Sequence, residues 1–265
     1  GEGIVIGVID SGINFLHPSF ADIGGDGYDH SNPRGQQFGL CSTPQVSCND
    51  KLIGVYDFTS EGSMGADTDG HGSHVAATAA GNFLNATIAG NTSTLQADVS
   101  GVAPHANIIS YKACEPGDDG TTCPFTALVA ALDQALADNV DVINYSIGGD
   151  ERDPWSGIRQ ASVLDDAEIL LNLRQAGVLT VVAAGNEGPG PGTILSPANA
   201  PWVVAAANLS HDRVFANPLT DLQSNQGDLE NINGVGQTAS YGPAPIVHAT
   251  DFGFPLCGIG SDVDF

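Results

Sequence analysis

Basic residues are scarce in this sequence. Seven lysines and arginines stand against 31 aspartates and glutamates, which gives a formal net charge of −24. A protein with this charge repels polyanions across most of its surface, so the composition argues against DNA, RNA or an anionic membrane surface as a partner. The acidity itself identifies no partner, because most charge of this kind forms a solvated surface.

Long apolar runs are also missing. No stretch reaches the roughly 20 apolar residues that a membrane-spanning helix requires, and the first residues lack the n-region and h-region of a signal peptide. We therefore expect no membrane span. The 265 residues, 42% of them hydrophobic, are enough to bury the core of one α/β domain and the start of a second.

The few cysteines are informative through their spacing. Cys41 and Cys48 flank a short polar loop, Cys114 and Cys123 flank an acidic loop, and Cys257 stands alone. This spacing predicts two local disulfides, and an unpaired cysteine whose partner lies outside the chain. Small loops closed in this way are typical of an oxidising compartment and therefore favour a secreted or cell-envelope protein. Five reduced thiols in a cytosolic protein are the alternative.

Apolar runs and amphipathic segments alternate along the chain. Two amphipathic segments, 124–138 and 162–175, predict helices that lead directly into strands. This alternation indicates an α/β fold, a doubly wound parallel sheet with helices on both faces and ligands at the carboxyl ends of the strands. The predicted buried strands are 4–9, 53–58, 107–112, 140–145 and 178–184.

The composition changes after about residue 210, where helix periodicity gives way to Asn, Gly, Asp and Gln. We expect residues 1–210 to form an incomplete α/β domain and residues 211–265 to form a connecting segment followed by short strands. Three glycosylation sequons, at Asn85, Asn91 and Asn208, matter only if the source glycosylates its proteins.

An aspartate and a histidine are placed to meet in this fold. Asp10 ends the first predicted strand, and His71 begins a helix in "DTDGHGSHVAATAAG". A carboxylate that faces an imidazole fixes its tautomer and stabilises the imidazolium formed when the ring takes a proton from a nucleophile. The small residues around His71 would let a substrate backbone come close, and Gly70 and Gly72 allow tight turns beside it.

Two further stretches, "NYSIGG" and "VVAAGNEGPG", leave strands at the same edge of the sheet. Asn186 can offer an amide N–H to a developing oxyanion. Taken alone, an asparagine after a strand is usually a turn residue and a Gly-Gly pair a plain loop. The residues expected to line a peptide-binding slot are Ser146, Ile147, Gly148, Gly149, Ala183, Ala184 and Gly185.

Together these segments resemble the subtilisin-like serine peptidases, the subtilases. The resemblance covers residues 1–209 and implies that Asp10 orients His71, that His71 is general base and then acid, and that Asn186 stabilises the tetrahedral oxyanion. It also implies that His74 is a packing residue. The matching segments occur in the family's order: "VIDSGI", "DGHGSHVAAT", "SIGG" and "AAGNEG".

The family's nucleophile block, Gly-Thr-Ser-x-Ala-x-Pro, does not occur in the sequence. Ser63 precedes His71, and Ser196 follows the oxyanion segment too closely to replace it. The resemblance therefore implies the N-terminal part of a secreted protease that matures from a zymogen. Its serine is expected downstream, after a protease-associated domain that begins near residue 239. The resemblance also permits structural calcium, although no loop shows a ligand spacing, and it implies no cofactor for the chemistry.

The predicted function is a secreted serine endopeptidase that hydrolyses peptide bonds through an acyl-enzyme. Its partners would be peptide or protein substrates and the remainder of the same protease. One alternative is a catalytically incomplete fragment or pseudoprotease that acts as a binding scaffold. A dinucleotide-binding domain is disfavoured because the glycines of "GEGIVIGVIDSG" precede the strand. A zinc site at His71 and His74 is disfavoured because a further ligand is missing.

Overall fold

The computed structural model describes residues 1–89, 94–118, 120–156, 165–209, 217–225 and 227–234. The helices in these ranges are α1 (His71–Ala80), α2 (Phe125–Ala137) and α3 (Asp166–Gln175), with 3-10 turns at Pro18–Phe20 and Leu40–Ser42. The strands are β1 (Val5–Asp10), β2 (Phe38–Gly39), β3 (Leu52–Asp57), β4 (Leu84–Ala89), β5 (Thr94–Val99), β6 (Asn107–Lys112), β7 (Glu115–Gly117), β8 (Gly120–Thr122), β9 (Val142–Tyr145), β10 (Leu179–Ala183), β11 (Val204–Ala206), β12 (Asn217–Leu219), β13 (Gln223–Ser224), β14 (Gly227–Asp228) and β15 (Ile232–Gly234).

A seven-stranded sheet in the order β11-β10-β9-β1-β6-β3-β2 is the main element of the fold. Every neighbouring pair in this sheet is parallel. The other described strands form two-stranded sheets, β4 with β5, β7 with β8, β12 with β15, and β13 with β14. The prediction of a parallel α/β sheet is confirmed.

Strand β1 shows why the sheet needs helices on both faces. Val5 and Ile9 belong to an apolar cluster with residues of α2 and α3, whereas Ile6 and Val8 belong to a second cluster with residues of α1. Successive side chains of a strand point to opposite faces, so both faces of β1 are buried. Burial on both faces is what the uninterrupted apolar run in the sequence predicts.

The observed helices begin and end within a few residues of the predicted limits. Helix α2 begins directly after Pro124, and Asn139 beyond its end adopts a φ of 57°. Helix α3 is capped by Asp165, whose side chain accepts a hydrogen bond from the Ala167 amide at 3.0 Å. The first residues of the predicted second helix, 162–164, lie outside the described residues. No helix in the described ranges has the length and apolarity needed to cross a membrane.

Two cysteine pairs are joined. Cys41 and Cys48 form a disulfide with their Cα atoms 5.4 Å apart, and Cys114 and Cys123 form a second with their Cα atoms 4.0 Å apart. Cys257 lies outside the described residues. Each disulfide closes a local loop, because the paired cysteines are seven residues apart in the first case and nine in the second.

The chain divides into two compact units. The first comprises Gly1–Ala86 and Gln96–His211, and the second comprises Thr87–Leu95 and Asp212–Phe265. The first unit holds the seven-stranded sheet, while the described strands after residue 216 form short antiparallel pairs. The domain limits at residue 210 and the protease-associated insertion stay predictions, and the segment from residue 239 lies outside the described residues.

Candidate active site

Asp10 and His71 meet at the carboxyl edge of the sheet. Asp10 is the last residue of β1, His71 is the first residue of α1, and His71 Nδ1 lies 2.8 Å from Asp10 Oδ1. The Asp10 side chain is 3% exposed and the His71 side chain is 52% exposed. Burial fixes the carboxylate while the imidazole stays accessible, so Nε2 is the ring nitrogen that can exchange a proton with a reacting group.

The environment favours a protonated imidazole. Burial raises the pKa of Asp10 and outweighs the hydrogen bonds from His71 and from the Ser11 amide, which lower it. The hydrogen bond to Asp10 raises the pKa of His71 against the opposing effect of burial, and the charges of Asp10, Asp69 and Asp67 add to the rise. A carboxylate that raises the proton affinity of a neighbouring imidazole makes it a stronger general base.

The backbone of Asp10 is held as firmly as its side chain. Its carbonyl oxygen accepts hydrogen bonds from the amides of Ala113 at 2.8 Å and Cys114 at 3.2 Å, directly after β6. Its Oδ1 also accepts a hydrogen bond from the Ser11 amide at 2.7 Å, and Oδ2 is buried without a hydrogen-bond partner among the described residues. The carboxylate is therefore oriented through Oδ1, the atom that contacts His71.

Asp67 organises the start of α1, a role that no motif in the sequence indicates. Its carboxylate accepts hydrogen bonds from the amides of Gly70 and Ser73, both at 2.8 Å, and from the hydroxyls of Ser73 at 2.6 Å and Ser11 at 2.9 Å. Burial raises the pKa of Asp67, but these hydrogen bonds outweigh it and hold that pKa below its usual range. Because the residue at the N-cap is Gly70, with no side chain to cap the helix, Asp67 caps α1 and ties it to the end of β1.

Gly70, Gly72 and His74 flank His71 at the start of α1. Gly70 has a φ of 104° and makes the expected turn, whereas Gly72 is buried within α1, where a Cβ would lie 2.2 Å from the carbonyl oxygen of Gly12. The glycine is needed because α1 packs directly on the chain beyond β1. His74 was expected to be packed, but it is exposed. The small residues thus bring the protein's own backbone close to the Asp10–His71 pair.

The disulfide-closed hairpin β7–β8 borders the candidate site. The Thr121 hydroxyl in β8 donates a hydrogen bond to the Asp69 carboxylate, and the other oxygen of that carboxylate accepts one from the His71 amide at 3.1 Å. At the other end of the hairpin, the Glu115 carboxylate accepts a hydrogen bond from the Ser60 amide at 2.8 Å. The hairpin is therefore joined to the segment that precedes α1.

The predicted peptide-binding residues lie in two segments at the same edge. Strand β9 lies beside β1, and β10 lies beside β9. The Gly149 amide donates to the Ser196 carbonyl at 2.9 Å, which links the segment after β9 to the segment after β10. The structure places Ser146, Ile147, Gly148 and Gly149 after β9, and Ala183, Ala184 and Gly185 at the end of β10.

Asn186 is exposed just beyond β10. Gly185 before it has a φ of 103°, and a Cβ there would lie 2.7 Å from Leu195 Cγ, so the turn that leads to Asn186 requires glycine. The carboxyl ends of parallel strands meet at one edge, so Asn186 shares the edge that carries Asp10 and His71. Its role at an oxyanion stays a prediction.

Ser63 and Ser196, neither of which can replace the missing nucleophile by its place in the sequence, have hydrogen-bond partners inside the protein. The Ser63 hydroxyl donates to Asp57 Oδ2 at 3.3 Å. Ser196 is 6% exposed, and its hydroxyl accepts a hydrogen bond from the Arg152 amide at 2.8 Å. Both hydroxyls are thus engaged with groups other than His71.

The described residues include no cluster of side chains suited to bind a metal ion. No group of three or more His, Cys, Asp or Glu side chains there is arranged to hold a metal ion. The zinc alternative at His71 and His74 lacks a third ligand among these residues. Structural calcium stays a prediction, and no step proposed below passes through a metal.

A buried carboxylate paired with an accessible imidazole at the end of a parallel strand has the geometry of the acid–base half of a Ser-His-Asp hydrolase. Comparison with known proteins gives the family. The family model of the subtilases matches residues 1–245, and the chain belongs to this family of serine peptidases.

Curated relatives include three subtilisin-like proteases of Arabidopsis thaliana. SBT2.1 is 38% identical over 89% of this chain, SBT2.4 is 38% identical over 93%, and SBT4.13 is 39% identical over 80%. The chain spans 28%, 30% and 26% of the lengths of these relatives. Among solved structures, a protein described as S41 Psychrophilic Protease is 28% identical, with 78% of this chain and 52% of that chain covered and a TM-score of 0.45.

Proposed function

We propose that this chain carries the acid–base and oxyanion groups of a secreted serine endopeptidase that cleaves peptide or protein substrates. The observation that carries the proposal is the 2.8 Å contact between His71 Nδ1 and Oδ1 of the buried Asp10. The relatives that are named subtilisin-like proteases support the reaction class.

In the proposed reaction, a serine hydroxyl attacks the carbonyl carbon of the scissile peptide bond while His71 Nε2 accepts its proton. Asp10 holds Nδ1 protonated and stabilises the imidazolium, and the side-chain amide of Asn186 donates a hydrogen bond to the oxyanion. Collapse of the tetrahedral intermediate breaks the C–N bond, and His71 returns the proton to the leaving amine. Water then hydrolyses the acyl-serine ester with the same groups in the same roles.

The nucleophilic serine is proposed to lie outside these 265 residues. The Gly-Thr-Ser block is absent from the sequence, and the chain spans less than a third of the length of the relatives described above. The remainder of the same protease is therefore the partner that would complete the site.

The two disulfides support an oxidising compartment and hence a secreted protein. The small residues at the ends of β9 and β10 support a slot that accepts an extended peptide backbone. Maturation from a zymogen and structural calcium belong to the same proposal and rest on the family resemblance alone.

The test uses the gene product that contains these 265 residues and a serine-directed fluorophosphonate probe. We expect covalent labelling of the wild type, and labelling that is lost in His71→Ala and strongly slowed in Asp10→Asn, because both variants remove activation of the serine. Asp141→Asn, at the opposite end of β1, is the matched control and should label like the wild type.

The proposal of a protease would be overturned by a gene product that has alanine or glycine in place of the serine. Such a protein would stay unlabelled while it binds peptides. Such a result would instead establish the binding scaffold. Labelling that is equally fast in His71→Ala would mean that the reactive serine does not depend on this histidine.

A further inference from the structure

Lys112 is a fully buried lysine beside the Asp10–His71 pair. It ends β6, lies opposite Asp10 in the register of β1 with β6, and is 0% exposed. Its Nζ donates to the carbonyl oxygens of Ser11 at 2.7 Å and Ala66 at 3.1 Å, and lies 2.8 Å from Glu61 Oε2. Three partners therefore surround an ammonium group that has three protons to donate.

The arrangement satisfies the usual requirements for burying a charge. An ammonium group removed from water is costly unless it is paired and fully hydrogen-bonded. Glu61 supplies the opposite charge, and its hydrogen bond with Lys112 holds the pKa of Glu61 below its usual range. The carbonyl oxygens of Ser11 and Ala66 accept hydrogen bonds from the other two N–H groups of the ammonium. The position of Nζ is therefore fixed by three points along the chain.

The two carbonyl oxygens belong to the segments that carry the catalytic pair. Ser11 directly follows Asp10, and Ala66 directly precedes Asp67, the residue that caps α1. A direct backbone contact adds to this connection, because the Asp67 amide donates to the Ile13 carbonyl at 3.3 Å. Lys112 thus bridges the chain that leaves β1 and the chain that enters α1.

We propose that Lys112 is a positioning residue, whose buried ammonium holds the end of β1 and the entry to α1 at the separation that lets Asp10 hydrogen-bond to His71. This inference rests on the proposed function in one respect, since it takes Asp10 and His71 to be the catalytic pair. Lys112 does not touch the imidazole, so it acts through the carbonyl oxygens of Ser11 and Ala66.

A second buried lysine provides the matched control. Lys51 is also 0% exposed, and its Nζ donates to the carbonyl oxygens of Pro104 and Ala106, both at 2.6 Å. It directly precedes β3, at the amino edge of the sheet, away from Asp10. Replacing either lysine by methionine removes a buried amino group that is bound to two carbonyl oxygens, but only Lys112→Met removes the connection next to the Asp10–His71 pair.

The experiment follows the His71 imidazole by NMR as a function of pH in the gene product that contains these 265 residues, in the wild type, Lys112→Met, Lys51→Met and Asp10→Asn. The signal is assigned by its absence in His71→Ala. The hydrogen bond to Asp10 is the main cause that raises the His71 pKa. We therefore expect Lys112→Met to lower that pKa by about one unit, a tenfold change in proton affinity, and Lys51→Met to leave it unchanged.

An unchanged His71 titration in Lys112→Met, beside a lowered pKa in Asp10→Asn, would overturn the positioning role and leave the proposed function standing. Equal shifts in the two lysine variants would also overturn it, because they would reflect general loosening. No shift in Asp10→Asn would refute the pairing on which the proposed function rests.

Loss of a buried ammonium also lowers stability, so folding is checked by circular dichroism. If Lys112→Met does not fold in buffer, all four proteins are titrated in trimethylamine N-oxide, an excluded osmolyte that favours the folded state. Lys112→Gln is measured beside them, because its shorter neutral side chain cannot bridge both carbonyl oxygens. The expected shift of the His71 pKa in this variant has the same direction.

Discussion

The two edges of the parallel sheet each bury a lysine, but in different surroundings. At the amino edge, Lys51 is bound to the carbonyl oxygens of Pro104 and Ala106, and no ion pair within 4.0 Å was found for it among the described residues. Burial lowers its pKa to about 7, against the opposing charge of Asp26. At the carboxyl edge, Lys112 has both carbonyl partners and a carboxylate.

This difference follows the position of the candidate site. At the carboxyl edge the buried lysine is paired with Glu61, next to the Asp10–His71 pair. The amino edge uses its buried lysine only to join backbone segments. The same residue type therefore contributes to the architecture at one edge and, by our proposal, to the geometry of catalysis at the other.

The largest expected effect separates the two ends of β1. In the full-length protease, Asp10→Asn should lower kcat by about 10⁴-fold, a size carried over from other Ser-His-Asp enzymes, because the imidazole loses its orienting carboxylate. Asp141, whose carboxylate accepts a hydrogen bond from the Val5 amide at 2.8 Å, lies at the other end of the strand. Asp141→Asn should change kcat by less than about twofold. Steady-state kinetics on a peptide substrate measures both, and comparable losses would remove the distinction between the edges.

The next effect concerns two asparagines that follow β10. Asn186→Ala should lower kcat by about 10²–10³-fold with little change in KM, a size carried over from the oxyanion asparagine of subtilisin. Asn199 is the control, because its side chain donates to the Arg152 carbonyl at 2.7 Å and has a structural partner. Asn199→Ala should lower the thermal midpoint and leave kcat within about twofold. An Asn186→Ala enzyme with wild-type kcat would rule out the oxyanion assignment.

Much of the fold could be predicted from the sequence, because the strands are buried on both faces. Such strands appear as uninterrupted apolar runs, and the segment 107–112 coincides with β6. The Asp10–His71 pair could also be predicted, because both residues stand at the ends of recognisable elements. Parallel strands bring such ends to one edge without any knowledge of the contacts in between.

The supporting residues could not be predicted, because their roles depend on partners far away in sequence. Lys112 and the carbonyl of Ser11 are 101 residues apart, and nothing around a lysine at the end of an apolar strand indicates burial. The close packing of Gly72 could not be predicted for the same reason, since its neighbour Gly12 lies in the chain that leaves β1. Asp67 carried a weak signal, as an aspartate just ahead of a helix.

The two disulfides provide an intermediate test. Replacing either pair by serines should lower the free energy of unfolding by about 2–3 kcal/mol, because each bond restricts the unfolded chain and short loops such as these give the smaller gains. Only the pair Cys114 and Cys123 closes the hairpin whose Thr121 contacts Asp69. Its loss should raise KM for a peptide by about 3–10-fold, whereas loss of the Cys41–Cys48 bond should leave KM unchanged. Urea unfolding and steady-state kinetics measure the two effects, and an equal rise in KM would show that the hairpin has no special relation to the site.

The smallest expected effect is a pH dependence of stability at the amino edge. Lysine in an unfolded chain has a pKa near 10.5, and that of Lys51 in the folded protein is about 7. Between these values the unfolded chain binds more protons, so the contribution of Lys51 to the free energy of unfolding rises with pH. The destabilisation from its buried charge is complete below pH 7 and disappears as the pH approaches 10.5.

Lys51→Met removes this titration while the other titratable groups stay. The free energy of unfolding of the wild type minus that of Lys51→Met, from urea unfolding, should therefore rise by about 1–3 kcal/mol between pH 7 and pH 10. A difference that is flat or falls over this interval would mean that Lys51 keeps its charge in the folded protein, and the contrast with the paired lysine at the carboxyl edge would then be one of geometry alone.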